Sequence, residues 1–510
     1  MGNWEFDDFV CEMRISIIFT AEKNLVTKEE LHHPKNINRL MKNGKSLSRF
    51  ILTFFLAFTS IKSYTQIANT LSFADKVFGL SKFWQEVNYN FVYLDKISRS
   101  SWDSAYKALI PQVQETKNDY AYYRLLEKFC ALLKDGHTEI AMPPIEGVNY
   151  MNNTFGDYLL VLKRVDNKVI IKRTWKKDIE KFPLGSEIIE VNGLPTEQYM
   201  RDSVAPYISA STDYVRMDIA SGMLLRGVPG STFSIKIKKP NGEQANYSLT
   251  HAKAKDSIFS PPPGAYPDEQ KRDLLEYKAF DNGIAYVALN SFSNAKIDTL
   301  FENLLPSLDK AKGIIIDLRY NGGGDDGIAL NILKHFIKDT VLLGSSSTVR
   351  RHNPLLQAMG RYVNVADTAG NPDKRDAWLL YNGYAVYDEP GTAKWKIEKD
   401  IKKITAPVVI LTGSYTESAA EDFVIAANNQ KHIIKIGEPT NGSTGQPYMF
   451  GLPGGGSARI CVKKDTYPDG REFVGYGIQP DIKVVPTVKN YLENKDVVLE
   501  AALKYFKERK

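Results

Sequence analysis

The sequence predicts an α/β fold: a mostly parallel sheet covered by helices, with an N-terminal helical segment and a β-rich unit between them. Three stretches in the C-terminal half carry the α/β part: GIAYVALNSF (283–292), GIIIDLRYNGGG (313–324) and APVVILTGSYTESAAEDFVIAANN (406–429). Each is a short strand-like run, apolar at consecutive positions, and helical patterns at 297–311 and 327–337 separate them. A strand apolar on both faces needs cover on both faces, which is the environment of a parallel sheet. Strands alternating with helices supply that cover.

Upstream, residues 70–134 read as helices. Phe83, Val87, Phe91 and Leu94, then Tyr120, Tyr123, Leu126, Phe129 and Leu132-Leu133, recur at helical spacing. Asp135-Gly136 is the expected stop of the last helix, with His137-Thr138 on the exit loop. From 155 to 250 short β runs follow (YLLVLKRV, KVIIKRTW, SEIIEVNG, FSIKIKKPNG, ANYSLTH), interrupted by a helical stretch near 215–225. Ser260-Pro-Pro-Pro-Gly264 reads as a linker, and 345–400 as a polar, irregular insertion over one sheet edge.

The 510 residues hold 66 Lys+Arg against 60 Asp+Glu, spread without a basic stripe, so nucleic acid is not the expected partner. Cys11, Cys130 and Cys461 are too few for a disulfide framework, and no Cys/His cluster suggests a metal. No cofactor is expected. Phe50–Ile61 is apolar on every face but too short for the ~20 residues that span a bilayer. Lys42, Lys45 and Arg49 precede it, and Ser63 and Thr65 stand at the −3 and −1 places, so 41–65 is the expected secretory signal peptide. Residues 1–40 are then expected to be a doubtful upstream extension, and the mature chain to have no stable membrane anchor; together with the family resemblance given below, the signal implies export, periplasmic or extracellular.

Ser418 ends a polar turn after a buried strand and begins a helix, at the strand end where α/β sheets collect ligands. Free amides and the positive dipole end suit a nucleophile whose product is an oxyanion. Serine is equally a favoured helix N-cap, and both readings stand on this motif alone. Gly322-Gly323-Gly324 exposes backbone amides but lacks the spacing of a phosphate or dinucleotide loop, which leaves it as a source of oxyanion donors. A serine hydroxyl needs a base. Of seven histidines, His137 stands out on its glycine-bearing loop beside a hydroxyl, although a lone histidine is also commonly structural.

Together, GIIIDLRYNGGG, TESAAE, IGEPTNGSTG and YGIQPDI resemble the core of the C-terminal processing (tail-specific) and tricorn-like serine peptidases. LGSEIIEVNG and LLRGVPGSTFSIKIKKPNG resemble that family's embedded PDZ-like domain, and LLKDGHT its tricorn-like branch. The resemblance runs from about 75 to 485 and implies a ClpP/crotonase-like core. It implies the following division: helical segment 66–145, PDZ-like domain 150–255, linker 256–270, peptidase core 271–490 and C-terminal helix 491–510.

The resemblance implies Ser418 as nucleophile, with the amides of Ala419 and Gly323 as oxyanion hole and Gly322, Gly324 and Ser443 against substrate. Ser443 stands where the processing branch has its lysine base, so the resemblance points to His137, as in the tricorn-like branch. Glu472, ahead of the Gly-Ile-x-Pro-Asp turn, is either the carboxylate completing the charge network or a solvated strand residue. The implied activity is serine endopeptidase hydrolysis of unfolded or C-terminally exposed polypeptides. A non-catalytic peptide- or ligand-binding protein on the same fold is the first rival, and hydrolysis of a non-peptide ester or amide the second.

Overall fold

The computed structural model describes residues 67–145, 148, 153–256, 258 and 272–509. The expected extension 1–40, the signal peptide 41–65 and most of the linker 256–270 lie outside the described residues. No helix among the described residues is long and apolar enough to cross a membrane.

Three helices open the described chain: Phe73–Asn90, Arg99–Glu115 and Asp119–Ala131, capped by Ser72, Ser98 and Asn118, whose side chains accept from backbone amides of the first turn. Phe83, Val87, Tyr122, Tyr123, Leu126 and Phe129 are buried between them, and the Trp102 ring stacks on Phe129 with centroids 4.0 Å apart. Leu132, expected inside, is half exposed because the helix has already ended at Ala131. The helix is closed at Lys134, whose φ is 51°, and Asp135-Gly136 opens a separate turn in which the Thr138 amide donates to the Asp135 carbonyl at 3.3 Å.

The β-rich unit is an antiparallel sheet in the order Val161–Val165, Lys168–Arg173, Glu187–Val191, Thr232–Lys238, Gln244–Thr250. Asp166-Asn167 forms a two-residue hairpin turn with φ of 52° and 58°, as the right-handed strand twist favours. The unit keeps its own apolar core, Leu160, Ile171, Phe182, Ile188, Ile235 and Ile237 among it, closed by the helix Asp213–Gly222.

The central sheet has six strands. Leu275–Ala279 is an antiparallel edge on Ile284–Leu289, which is followed by parallel Gly313–Asp317, Val408–Thr412, Ile433–Gly437 and Ile482–Lys483. Ile314, Ile316, Val408 and Ile410 face the helices Lys296–Leu308, Asp326–Leu333 and Ala419–Ala427. Ile315, Val409 and Leu411 face Val498 and Ala502 of the helix Val497–Glu508. The alternation explains why these strands are apolar at every position: neighbouring side chains enter opposite covered faces.

The stretch 345–400 is more regular than its polarity suggests. Val341–Arg351 and Val386–Lys396 form a long antiparallel pair, with the helices Pro354–Met359 and Pro372–Tyr381 in the connection. Lys463–Thr466 pairs along the other edge of Val341–Arg351. The cross-strand hydrogen bonds run through half-buried and exposed residues, so little hydrophobic alternation marks them in the sequence.

For the site, one feature of the packing matters most. The N-terminal helices and one face of the central sheet share a continuous apolar core. Strand Glu139–Ala141 then pairs with Ser457–Cys461, fixing the loop after the third helix against the sheet side.

Candidate active site

Strand Val408–Thr412 delivers the chain into the turn 413–417. Thr416 Oγ1 donates to the Leu318 carbonyl at 2.8 Å, and the Glu417 amide donates to the Asn321 carbonyl at 3.1 Å. Ser418 follows with φ 55° and ψ −127°, a conformation almost confined to glycine. Its hydroxyl makes no capping bond to the helix Ala419–Ala427, so the ordinary N-cap reading does not describe it. The backbone is held in place: the Ser418 amide donates to the Ser443 carbonyl at 3.1 Å. A strained turn that points a serine hydroxyl away from its own helix leaves that hydroxyl for another partner.

That partner is His137. Its Nε2 lies 3.2 Å from Ser418 Oγ, and its Nδ1 lies 2.7 Å from Ser443 Oγ. The His137 loop is tied down by Thr138, whose Oγ1 donates to Asp135 at 2.5 Å and accepts from the Cys461 amide at 3.0 Å. Gly136 is needed for space and not for its dihedral angles: a Cβ there would stand 2.7 Å from Ser443 Oγ. Burial lowers the His137 pKa from its ordinary value to about 4, and the positive charges of Arg459 and Lys463 push the same way. The ring is therefore neutral at pH 7, with one nitrogen free to accept a proton.

Ser443 is fully buried, and its hydroxyl is spent on His137. It does not face substrate, contrary to the expectation for it. Beneath it lies Glu421, whose role the sequence reading missed. One carboxylate oxygen accepts from the Gly442 amide at 2.7 Å and from Thr440 Oγ1. The other accepts from the Ser443 amide at 3.0 Å and Thr444 Oγ1 at 2.8 Å. Burial raises its pKa to about 7 against these four hydrogen bonds. The available signal was the density of hydroxyls and glycine in TNGST, a segment able to wrap a buried carboxylate.

Glu472 is held by lysines. Its carboxylate pairs with Lys464 and, at 3.5 Å, with Lys96, and the hydrogen bond from Lys464 holds its pKa below the usual range. Both ring nitrogens of His137 are already taken by Ser418 and Ser443, so Glu472 makes no direct bond to the histidine.

The glycine run lies against the serine. A Cβ on Gly323 would stand 2.7 Å from Ser418 Cβ and 2.9 Å from the Ala419 amide nitrogen, and one on Gly324 would strike the Phe292 backbone at 2.3 Å. The Gly323 amide itself is occupied, donating to Asn321 Oδ1 at 2.8 Å, so the expected second oxyanion donor is not free. Among the described residues the amides of Ala419, Gly322 and Gly324 have no acceptor. Arg319, in the same motif, is buried in a bidentate clamp between Asp317 and Asp496 and anchors the strand end to the C-terminal helix.

Among the described residues no group of three or more His, Cys, Asp or Glu could hold a metal ion. Cys130 and Cys461 are both free and buried.

Known proteins are similar to this chain in sequence and fold. Residues 283–484 match the model of peptidase family S41, a span that contains Ser418, the glycine run, Glu421 and Ser443 but not His137. The carboxy-terminal processing protease CtpB of Bacillus subtilis is 23% identical over 327 residues, covering 62% of this chain and 53% of its own length. The match thus spans about half of that relative. The carboxyl-terminal-processing protease of Picosynechococcus is 22% identical over 432 residues, covering 82% of this chain and 84% of its own. Among solved structures, mature CPAF complexed with lactacystin superposes with a TM-score of 0.58 at 12% identity, over 85% of this chain and 98% of the other, which is a likeness of fold. Residues 283–484, the core that carries Ser418, are thus similar to peptidase family S41 and to its carboxyl-terminal processing proteases.

Proposed function

We propose that the chain is an exported serine endopeptidase that cleaves unfolded or C-terminally exposed polypeptides by a Ser–His mechanism. The observation that carries it is the 3.2 Å approach of His137 Nε2 to Ser418 Oγ, made by a neutral ring on a hydroxyl that caps nothing. With Nδ1–H donated to Ser443, Nε2 takes the Ser418 proton as the oxygen attacks a peptide carbonyl. The resulting imidazolium then gives that proton to the leaving amine. Ala419 supplies one oxyanion donor, beside the positive end of its helix. The glycine run supplies the second, from Gly322 or Gly324, or from Gly323 once it releases Asn321. Ser443 occupies the place of the family's lysine and acts as a positioning residue, held by Glu421.

The core is of the ClpP/crotonase-like kind, and residues 150–255 form its PDZ-like domain. That domain binds an extended peptide by strand addition and seats its terminal carboxylate on backbone amides. Residues 41–65 direct export, to the periplasm or beyond.

The test is cleavage of an unfolded protein by the purified chain beside Ser418→Ala and His137→Ala. Loss of cleavage in both, with circular dichroism unchanged, is the expected result. Persistence in His137→Ala would send the base role elsewhere. No cleavage by the parent chain across substrates and pH would leave the peptide-binding reading standing.

A further inference from the structure

We propose that the cavity beside Ser418 is a substrate side-chain subsite that selects a basic residue, with the Glu417 carboxylate as its counter-ion. The proposal rests on the peptidase reading above. The cavity, about 350 Å³, is lined by Gly136 and Glu417, the chain neighbours of His137 and Ser418, which puts it within reach of a substrate residue next to the scissile bond. Arg124, Glu127, Arg226 and Arg459 also reach it.

Three arginines would suggest an acidic guest, but they are engaged. Arg124 pairs with Glu127, whose charge Arg226 also stabilises. Arg459 pairs with Glu139 at 3.0 Å and donates to the Gly136 carbonyl at 3.3 Å. Glu417 is the group left over. Among the described residues its carboxylate has one hydrogen-bond partner, the Asn441 amide at 3.5 Å, and no ion pair. A carboxylate largely withdrawn from water without a cation is an unfavourable arrangement. An ammonium or guanidinium entering the cavity relieves it, with a short ion-paired hydrogen bond in place of the long one from the Asn441 amide. The titration of Glu417 agrees: burial first, then the charges of Glu421, Asp135 and Glu139, raise its pKa to about 7, and Arg459 offsets this only in part. Above pH 7 the carboxylate is ionised and ready for a cation.

The experiment maps, by mass spectrometry of the new termini, the sites that the full chain cuts in β-casein at pH 8, with Ser418→Ala as the blank. Fluorogenic peptides built on the strongest site then carry Lys, norleucine or Glu at the selected position. Lys and Arg should be enriched at one of the two positions bordering the cut. The kcat/KM ratio of Lys to norleucine should be on the order of 10–100. In Glu417→Gln that ratio should fall towards one, and in Glu417→Lys the Glu peptide should overtake the Lys peptide. Succinylating the casein lysines, which needs no variant, should remove the Lys-directed cuts by the parent chain. Casein cut without basic enrichment, acidic enrichment, or a ratio unchanged in Glu417→Gln would overturn the subsite while leaving the peptidase reading intact. No cutting at all would overturn the peptidase reading itself, and the subsite with it.

Discussion

Replacing Ser443 by alanine tests the relay most directly. Ser443 Oγ is the partner of His137 Nδ1 at 2.7 Å, and both groups are buried. Without it, the Nδ1–H donor has no protein acceptor, and leaving a buried donor unmade costs about 1–3 kcal/mol. The cost is larger in the transition state, where the ring carries the Ser418 proton and its N–H groups become charged donors. The loss therefore falls on kcat more than on KM. At about 1.4 kcal/mol per decade it amounts to roughly 10–100-fold. The measurement is steady-state kinetics on a fluorogenic peptide, with a thermal melt to confirm that the fold persists. A kcat within twofold of the parent, in a folded protein, would refute the claim that the Ser443 hydroxyl positions the base.

The low pKa of His137 sets the acid limb of the pH profile. The base must be neutral, so on the norleucine peptide, which makes no demand on Glu417, kcat/KM should hold from pH 7 down and fall only as pH drops through about 4, and not near the ordinary histidine value; a midpoint at 6 or above on that peptide would contradict the burial argument. Glu421→Gln offers one oxygen where two are used, so either the Gly442 or the Ser443 amide is left facing an NH₂ group; chemical denaturation should show about 1–3 kcal/mol of lost stability, together with lower activity. Gly136→Ala should lower kcat with the protein still folded, because the new methyl group displaces Ser443 from His137 without straining the backbone; wild-type kinetics would show that the loop can give way. Gly323→Ala is the harsher case, with a φ of +91° and Ser418 Cβ at 2.7 Å; activity should fall at least ~100-fold.

Much of the fold was legible because burial leaves a local trace. Consecutive apolar residues in GIIID and VVILT mark strands covered on both faces. The long pair Val341–Arg351 and Val386–Lys396 left no such trace, because its faces are only partly buried and its register is fixed by a partner some forty residues away.

The candidate site divides in the same way. Ser418 and the glycine run could be named from the sequence, since a strand end, a turn and a helix start are local events. His137 is 281 residues from Ser418, and only the shared core of the N-terminal helices and the central sheet brings the two within 3.2 Å. The family resemblance could imply that Ser443 stands where the processing branch has its lysine, but not that its hydroxyl meets His137 Nδ1, nor that Glu421 organises the segment around it. Nor could it show that Asn321 occupies the Gly323 amide, or that Glu472 is claimed by Lys464 and Lys96. Composition and spacing determine which residue types are available and which elements they sit on. Which donor meets which acceptor is decided by packing, because hydrogen bonds act over about 3 Å and nothing in a linear pattern encodes that distance.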